Sequence, residues 1–332
     1  MRLTQTKALV LGATGHIGNA ILRELLSQGC EVTAASRRRE PAPNLVGLPV
    51  RYARGDADTP GQLEAWIAGH DLVVDAAAPY PLYLRNPPVE AERDPLDHAA
   101  ERTRRLLDAV GRHNAILAYV STFATLWRSQ GRLEDWQTLL MRRLHPHFAV
   151  KELIETRMLD AARRGTPVVV VNPTLCLGPW DTKVPEWCLV PRLLRGEIPA
   201  FPSHVLNVID VRDLAAATVS AITAERYGEP ILLDGHNIST DELFNWICEV
   251  GGVAPPRYRI SLSLTSLSAY LAEALLGLAG RPAPLPSLVP ILISQHEWIT
   301  SGRVHYELGI SPRPLSETLA DSVEWYRGLG YC

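Results

Sequence analysis

An α/β fold built on a doubly wound parallel sheet, with a smaller carboxyl-terminal domain, is what this 332-residue chain predicts. Three observations point to it. Short, continuous apolar runs alternate with helix-period segments as far as Asn172. The first of those runs opens directly into Gly12-Ala13-Thr14-Gly15-His16-Ile17-Gly18. At Pro173 the alternation gives way to prolines and loops. Strands that are apolar along their whole length are buried on both faces, and helical crossovers between them make the sheet parallel.

Lys7–Leu11 is the first strand, suited to burial. Ile17, Ile21, Leu22, Leu25 and Leu26 then share one helical face, and Gly29 ends that helix in a left-handed turn. Glu31–Ala35 and Val50–Ala53 are the second and third strands. Thr59-Pro60-Gly61-Gln62 reads as a capping box with proline at the first helical position, opening a helix through Trp66. Asp71–Ala78 is the fourth strand, Ala91–Arg112 a long helix, and Ile116–Thr122 the fifth strand. His147–Gly165 is a helix, and Val168–Asn172 the sixth strand. A strand–helix unit over Val205–Ala224 and the run Pro230–Gly235 follow. Residues 1–172 and 203–236 are therefore expected to form a discontinuous nucleotide-binding domain. Residues 173–202 and 237–332 form the smaller, substrate-binding one.

With 46% hydrophobic residues, 21% charged residues and a formal net charge of -3, the chain has material for a large core and no basic footprint for nucleic acid. Cys30, Cys176, Cys188, Cys248 and Cys332 form no C-x-x-C pair, so they read as reduced packing residues of a cytoplasmic protein. No metal site is expected: His296-Glu297-Trp298-Ile299-Thr300 lacks the second histidine of H-E-x-x-H. The amino terminus lacks a signal-peptide cleavage pattern. The most apolar long run, Leu262–Gly280, contains Glu273, which argues against a membrane span and for a buried or lid-forming helix. A small-molecule substrate is expected, with no nucleic-acid or membrane partner and a homodimer as the possible assembly.

The spacing Gly12-x-x-Gly15-x-x-Gly18, between a strand and a helix, suits the pyrophosphate of a dinucleotide. Glycines allow the tight turn and close backbone approach, and the helix N-terminus offers free N–H groups and a positive dipole. Thr14, His16 and Ile17 belong to the same loop, and a Rossmann arrangement follows from it. After the second strand come Ser36, Arg37 and Arg38, where an NAD-selective site usually carries an acid. A serine and two arginines suit a 2′-phosphate, so NADP(H) is preferred over NAD(H). Asp56 could accept from the adenine amine, and Ala76, Ala77 and Ala78 let the cofactor lie close to the fourth strand.

Together these residues resemble the extended branch of the short-chain dehydrogenase/reductases, including NAD(P)-dependent epimerase/dehydratase and dihydroflavonol-reductase-like proteins. The resemblance rests on the glycine loop, Gly55-Asp56, Ala76–Ala78, Tyr119-Val120-Ser121-Thr122, Asn172-Pro173 with Leu177-Gly178-Pro179, Asn207–Ala215 and Glu307–Tyr331. It covers nearly the whole chain. It implies a catalytic hydroxyl at Thr122, with Ser121 as runner-up, and a lysine at Lys151 holding the nicotinamide ribose and biasing the pKa of the catalytic acid. Pro173 is expected at the cofactor, and Thr174, Asp181 and the loop residues Tyr80 and Tyr83 toward substrate.

The chain departs from the family pattern at three points. The family's Tyr-x-x-x-Lys reads His147-x-x-x-Lys151, the residue before the lysine is Val150, and the asparagine of the preceding helix is replaced in Ala99–Thr103. These departures bear on the usual tyrosine-based mechanism, not on the fold or the cofactor. A histidine titrates near ~6.5 and tyrosine near ~10, but Lys151 and the oxidised nicotinamide should favour the neutral imidazole. Either His147 donates a proton or hydrogen bond, or a substrate group, water or another side chain such as Tyr80 or Tyr83 supplies the proton, or the site is inactive. The function expected is NADPH-dependent reduction of a carbonyl in a small organic molecule, apolar or aromatic if Trp180, Trp187 and Phe201 face it. The alternatives are a sugar-nucleotide epimerase or dehydratase with bound NAD, and a non-catalytic NADP-sensing protein.

Overall fold

The computed structural model describes residues 3–78, 94–130, 145–183, 188–281, 283–296, 299 and 307–332. Seven strands make its main sheet: β1 (Lys7–Leu11), β2 (Glu31–Ser36), β3 (Arg51–Arg54), β4 (Leu72–Asp75), β5 (Ile116–Val120), β6 (Val168–Pro173) and β10 (Pro230–Leu233). Their spatial order is β10-β6-β5-β4-β1-β2-β3, and every neighbouring pair is parallel. The chain winds one way from β1 to β3 and the other way from β4 onward. The switch point lies between β1 and β4, where such sheets open a crevice at their carboxyl ends.

Alternation along the strands decides the layers. Ala8 and Val10 point to α1 (His16–Ser27) and α6 (Val211–Thr223), whereas Leu9 and Leu11 point to the opposite side. That side is covered by α2 (Gln62–Ile67), α3 (Pro95–His113) and α4 (Pro146–Arg163). Each fully buried Leu or Val side chain contributes about 1.5–3 kcal/mol, so two covered faces are the main source of stability. Asp94 caps α3 by accepting from Leu96 N (2.7 Å), with Pro95 in the first turn.

A smaller assembly stands over the carboxyl edge. β9 (Val205–Asp210) runs parallel to β7 (Leu175–Leu177) and antiparallel to β11 (His236–Ser239), outside the main sheet. α5 (Leu189–Leu194), α7 (Thr240–Gly251) and α10 (Leu315–Gly328) share an apolar core with it. β8 (Ala200–Pro202) pairs with β12 (Tyr258–Ile260), and α8 (Leu262–Leu278) and α9 (Leu288–Gln295) complete the set.

Two local expectations are corrected. No capping box opens α2: its cap is Gly61 at φ 77, without a side-chain cap, and Gln62 N bonds the Thr59 carbonyl instead. A left-handed cap residue favours the glycine over the threonine. And α8, expected to be buried or lid-forming, is not a buried helix: Thr265, Ala269 and Glu273 are its fully buried residues.

Candidate active site

The nucleotide loop is built by close approach. Gly12 lies at φ +79, and a Cβ there would come within 2.7 Å of the Ala76 carbonyl oxygen. A Cβ on Gly18 would lie 2.3 Å from the Gly12 oxygen, so any side chain at 18 drives β1 and α1 apart. Gly15 caps α1 with no side-chain bond, which leaves the first-turn N–H groups for a ligand. Beside this cradle His16 Nε2 is buried with no hydrogen-bond partner among the described residues. Burial holds the His16 imidazole below its usual range, and the Asp181 carboxylate opposes that shift. The residues fit a dinucleotide pyrophosphate.

Around the loop, Asn44 donates to the carbonyls of Thr14 (3.2 Å) and Trp180 (2.8 Å), and Thr182 donates to Thr14 O (2.9 Å). Ile17 packs on the adjoining core. One strand over, Ser36 Oγ accepts from Arg38 N (3.2 Å). Arg37 and Arg38 are exposed there and hold no acid among the described residues. Asp56 caps its own turn by accepting from Asp58 N (3.0 Å). Ala76 N bonds Leu11 O and Ala77 N bonds Asp75 Oδ1 (both 3.1 Å), which draws the Ala76–Ala78 turn against β1.

The second half of the site lies where β5 ends against α4. His147, Lys151 and Glu155 are one turn apart on the helix, share a face and are all buried. His145 caps α4, its Nδ1 accepting from His147 N (3.3 Å), with the extended backbone that the following proline favours. Lys151 Nζ donates to Val120 O (3.3 Å) and lies over the Tyr119 ring at 5.4 Å. Burial pulls its ammonium down to about 8; Asp75 raises it, Arg102 lowers it and Glu155 raises it. Burial also holds His147 well below its ordinary range, helped by Lys151 and then His145, so its imidazole is neutral near pH 7.

Thr122 is half-buried, its Oγ1 facing Ala124 N at 3.4 Å. Ser121 is engaged elsewhere: its hydroxyl donates to Glu155 Oε2. The same oxygen accepts from Thr125 Oγ1 and Asn172 Nδ2 (both 2.7 Å). Glu155 thereby ties α4 to the ends of β5 and β6.

Arg102 and Asp75 were not singled out in the sequence. They form a buried bidentate pair, both bonds 2.8 Å. Burial works against both charges, but each partner outweighs it for the other: Asp75 is held below the usual carboxylate range and Arg102 above its own. The signal was present in Ala99–Thr103. That segment supplies the arginine, and an unpaired acid ending a buried strand called for a cation.

The remaining expected residues are placed as follows. Pro173 ends β6 opposite Leu233. Thr174 is buried, donating to Asn207 Oδ1 (2.9 Å). Asp181 is buried among structural partners: Tyr326 OH donates to it (3.2 Å), as does Lys183 N (3.0 Å). The Tyr326 bond, with Trp325 Nε1 donating to Asp181 O (2.7 Å), anchors this loop to α10. Tyr80, Tyr83 and Trp187 lie outside the described residues.

Switch-point crevice, glycine cradle and buried lysine define a nicotinamide-dinucleotide-binding oxidoreductase fold. The model of the NAD dependent epimerase/dehydratase family matches residues 8–232, and the chain belongs to that family. It is 29% identical to a Synechocystis sp. protein provisionally named a dihydroflavonol 4-reductase, covering 97% of this chain and 95% of that one. It is 28% identical to the sterol demethylase protein B of Methylococcus capsulatus, over 97% and 98% of the two chains. The crystal structure of gox2253 superposes with a TM-score of 0.76 at 25% identity, covering 98% and 99%. Members of this extended short-chain dehydrogenase/reductase group are NAD(P)-dependent oxidoreductases, epimerases or dehydratases.

Proposed function

We propose that this protein is an NADPH-dependent reductase of a carbonyl in a small apolar or aromatic molecule, with Lys151 as the reservoir of the proton. The observation that carries the reading is the pairing on α4 of a neutral His147 with a lysine drawn down to about 8. When bound, the reduced nicotinamide supplies a hydride to the carbonyl carbon. The chain supplies the rest. The neutral imidazole donates one N–H hydrogen bond to the substrate oxygen, and Thr122 holds that oxygen from the β5 side. The Lys151 ammonium gives up the proton that turns the alkoxide into an alcohol, by way of the imidazole or a water, and is left as a neutral amine. A group titrating near the working pH is the effective acid.

The neutral His147 and the lack of an acid after β2 weigh against an epimerase or dehydratase. Such reactions begin by oxidation and need a base, and an imidazole held well below its usual range is a poor one. Arg37 and Arg38 at the end of β2 support NADP(H) over NAD(H). The names of the two similar proteins, which refer to a dihydroflavonol and a sterol, support an apolar substrate. Within this reading the seven-stranded sheet and its helices hold the cofactor, and the smaller assembly that includes β7, β9 and β11 holds the substrate, in the cytoplasm.

The test is NADPH binding followed by fluorescence, then a carbonyl screen followed by loss of NADPH absorbance. Binding at micromolar protein with consumption by an apolar ketone or aldehyde is expected. No binding sinks the reading, and NAD co-purified with the protein revives the epimerase.

A further inference from the structure

The sequence predicted a buried or lid-forming helix at 262–280, and the structure turns its leucines outward. Leu264, Leu267, Leu271, Leu275 and Leu278 are 55%, 51%, 49%, 67% and 79% exposed. Their spacing of three and four residues puts them in one row on α8. A surface helix normally carries charge on its outer face. This one carries none: its only ionisable acid is Glu273, buried and accepting from Ser287 N (2.8 Å). The cations stand beyond its ends, Arg257 before it and Arg281 after it, both exposed, while Arg259 is paired with Asp241 and Tyr258 is 66% exposed beside it.

Charge decides what covers such a face. Between 257 and 281 the chain holds three arginines, of which Arg259 is matched by Asp241, and a single, inward acid. Pairing two copies of α8 antiparallel sets Arg257 of one against Arg281 of the other. Pairing them parallel sets each arginine against its own counterpart. Both arrangements oppose like charges around an apolar seam, which disfavours self-association. An apolar strip about 25 Å long with an aromatic ring and cations at its ends suits a helix lying in a lipid interface, leucines in the acyl boundary and arginines among anionic headgroups. No helix among the described residues is long and apolar enough to cross a membrane. The fit is to a surface.

We propose that the outward face of α8 docks this protein on an anionic lipid bilayer, against the sequence expectation of no membrane partner. The docked helix stands close to the chemistry. α8 packs on α9, whose Leu288 and Ile291 pack on Phe148, the neighbour of His147.

The full chain is sedimented with phosphatidylcholine vesicles, with and without phosphatidylglycerol. Pelleting with the anionic vesicles is expected. The exposed double variant Leu267→Glu/Leu271→Glu should lower the bound fraction at least about tenfold. Arg257→Gln/Arg281→Gln should lower it less and weaken the salt dependence. Retained NADPH binding reports that both variants are folded. Wild-type protein remaining in the supernatant with both vesicle types overturns the proposal. So does a dimer that the leucine variant converts to monomer without any vesicle binding, which assigns the face to a second copy.

Discussion

The two halves of the active site were built by different rules. On the nucleotide side, backbone does the work: Gly12 and Gly18 permit an approach that any Cβ would block, and the chain keeps the family spacing. On the proton side, side chains do the work, with His147, Lys151 and Glu155 sharing one buried face of α4. A buried Asp75–Arg102 pair and a Glu155 hub hold the floor beneath them. A site made of backbone geometry tolerates little variation. A site made of charges is open to exchange of partners while the charges still balance.

The sharpest way to break the comparison is to unbalance that floor. Arg102→Ala strands a buried carboxylate and should cost about 3–5 kcal/mol of stability, read by urea denaturation. The Asp75→Ala/Arg102→Ala double variant should recover part of that loss, a coupling only a direct pair produces. Next in size, Lys151→Met should lower turnover about a hundredfold or more while NADPH still binds. Gly18→Ala should do the reverse, abolishing NADPH binding as measured by fluorescence because its Cβ meets the Gly12 oxygen at 2.3 Å. Smallest, Arg37→Ala/Arg38→Ala should weaken NADPH about tenfold, through the loss of roughly 1.4 kcal/mol of charge-assisted bonding. NADH binding, measured the same way, should stay unchanged.

Lys151 also links the site to stability, with a definite sign. Its folded value of about 8 lies below the unfolded value. Between about 8 and ~10.4 the unfolded chain binds the extra proton, so this residue's contribution to stability rises with pH across that window. A Lys151→Met variant should flatten that rise in urea unfolding.

The same contrast explains what could be read in advance. Gly12, Gly15 and Gly18 sit next to one another in sequence, and their spacing states their geometry. β1 to β6 and the helices between them were legible because apolar period and length mark buried strands and amphipathic helices. Asp75 and Arg102 lie on different elements, and only the packing of α3 under β4 makes them partners. Ser121, Glu155 and Asn172 meet in the same way, from β5, α4 and β6. The direction α8 faces was not legible, since an apolar run gives a helix's content but not what lies opposite it. Nor was it evident that 205–210 would leave the main sheet, because a strand's partners are a tertiary property.

The central claim is that Lys151, not His147, holds the proton for transfer, and the pH profile of kcat/KM for the free enzyme tests it most directly. The protonated lysine is the competent form, so kcat/KM should stay level through pH 6–7 and fall as pH rises through about 8. His147→Phe should lower the whole curve without moving that midpoint. A limb near ~6.5 that disappears in His147→Phe would contradict the account and return the proton to the histidine.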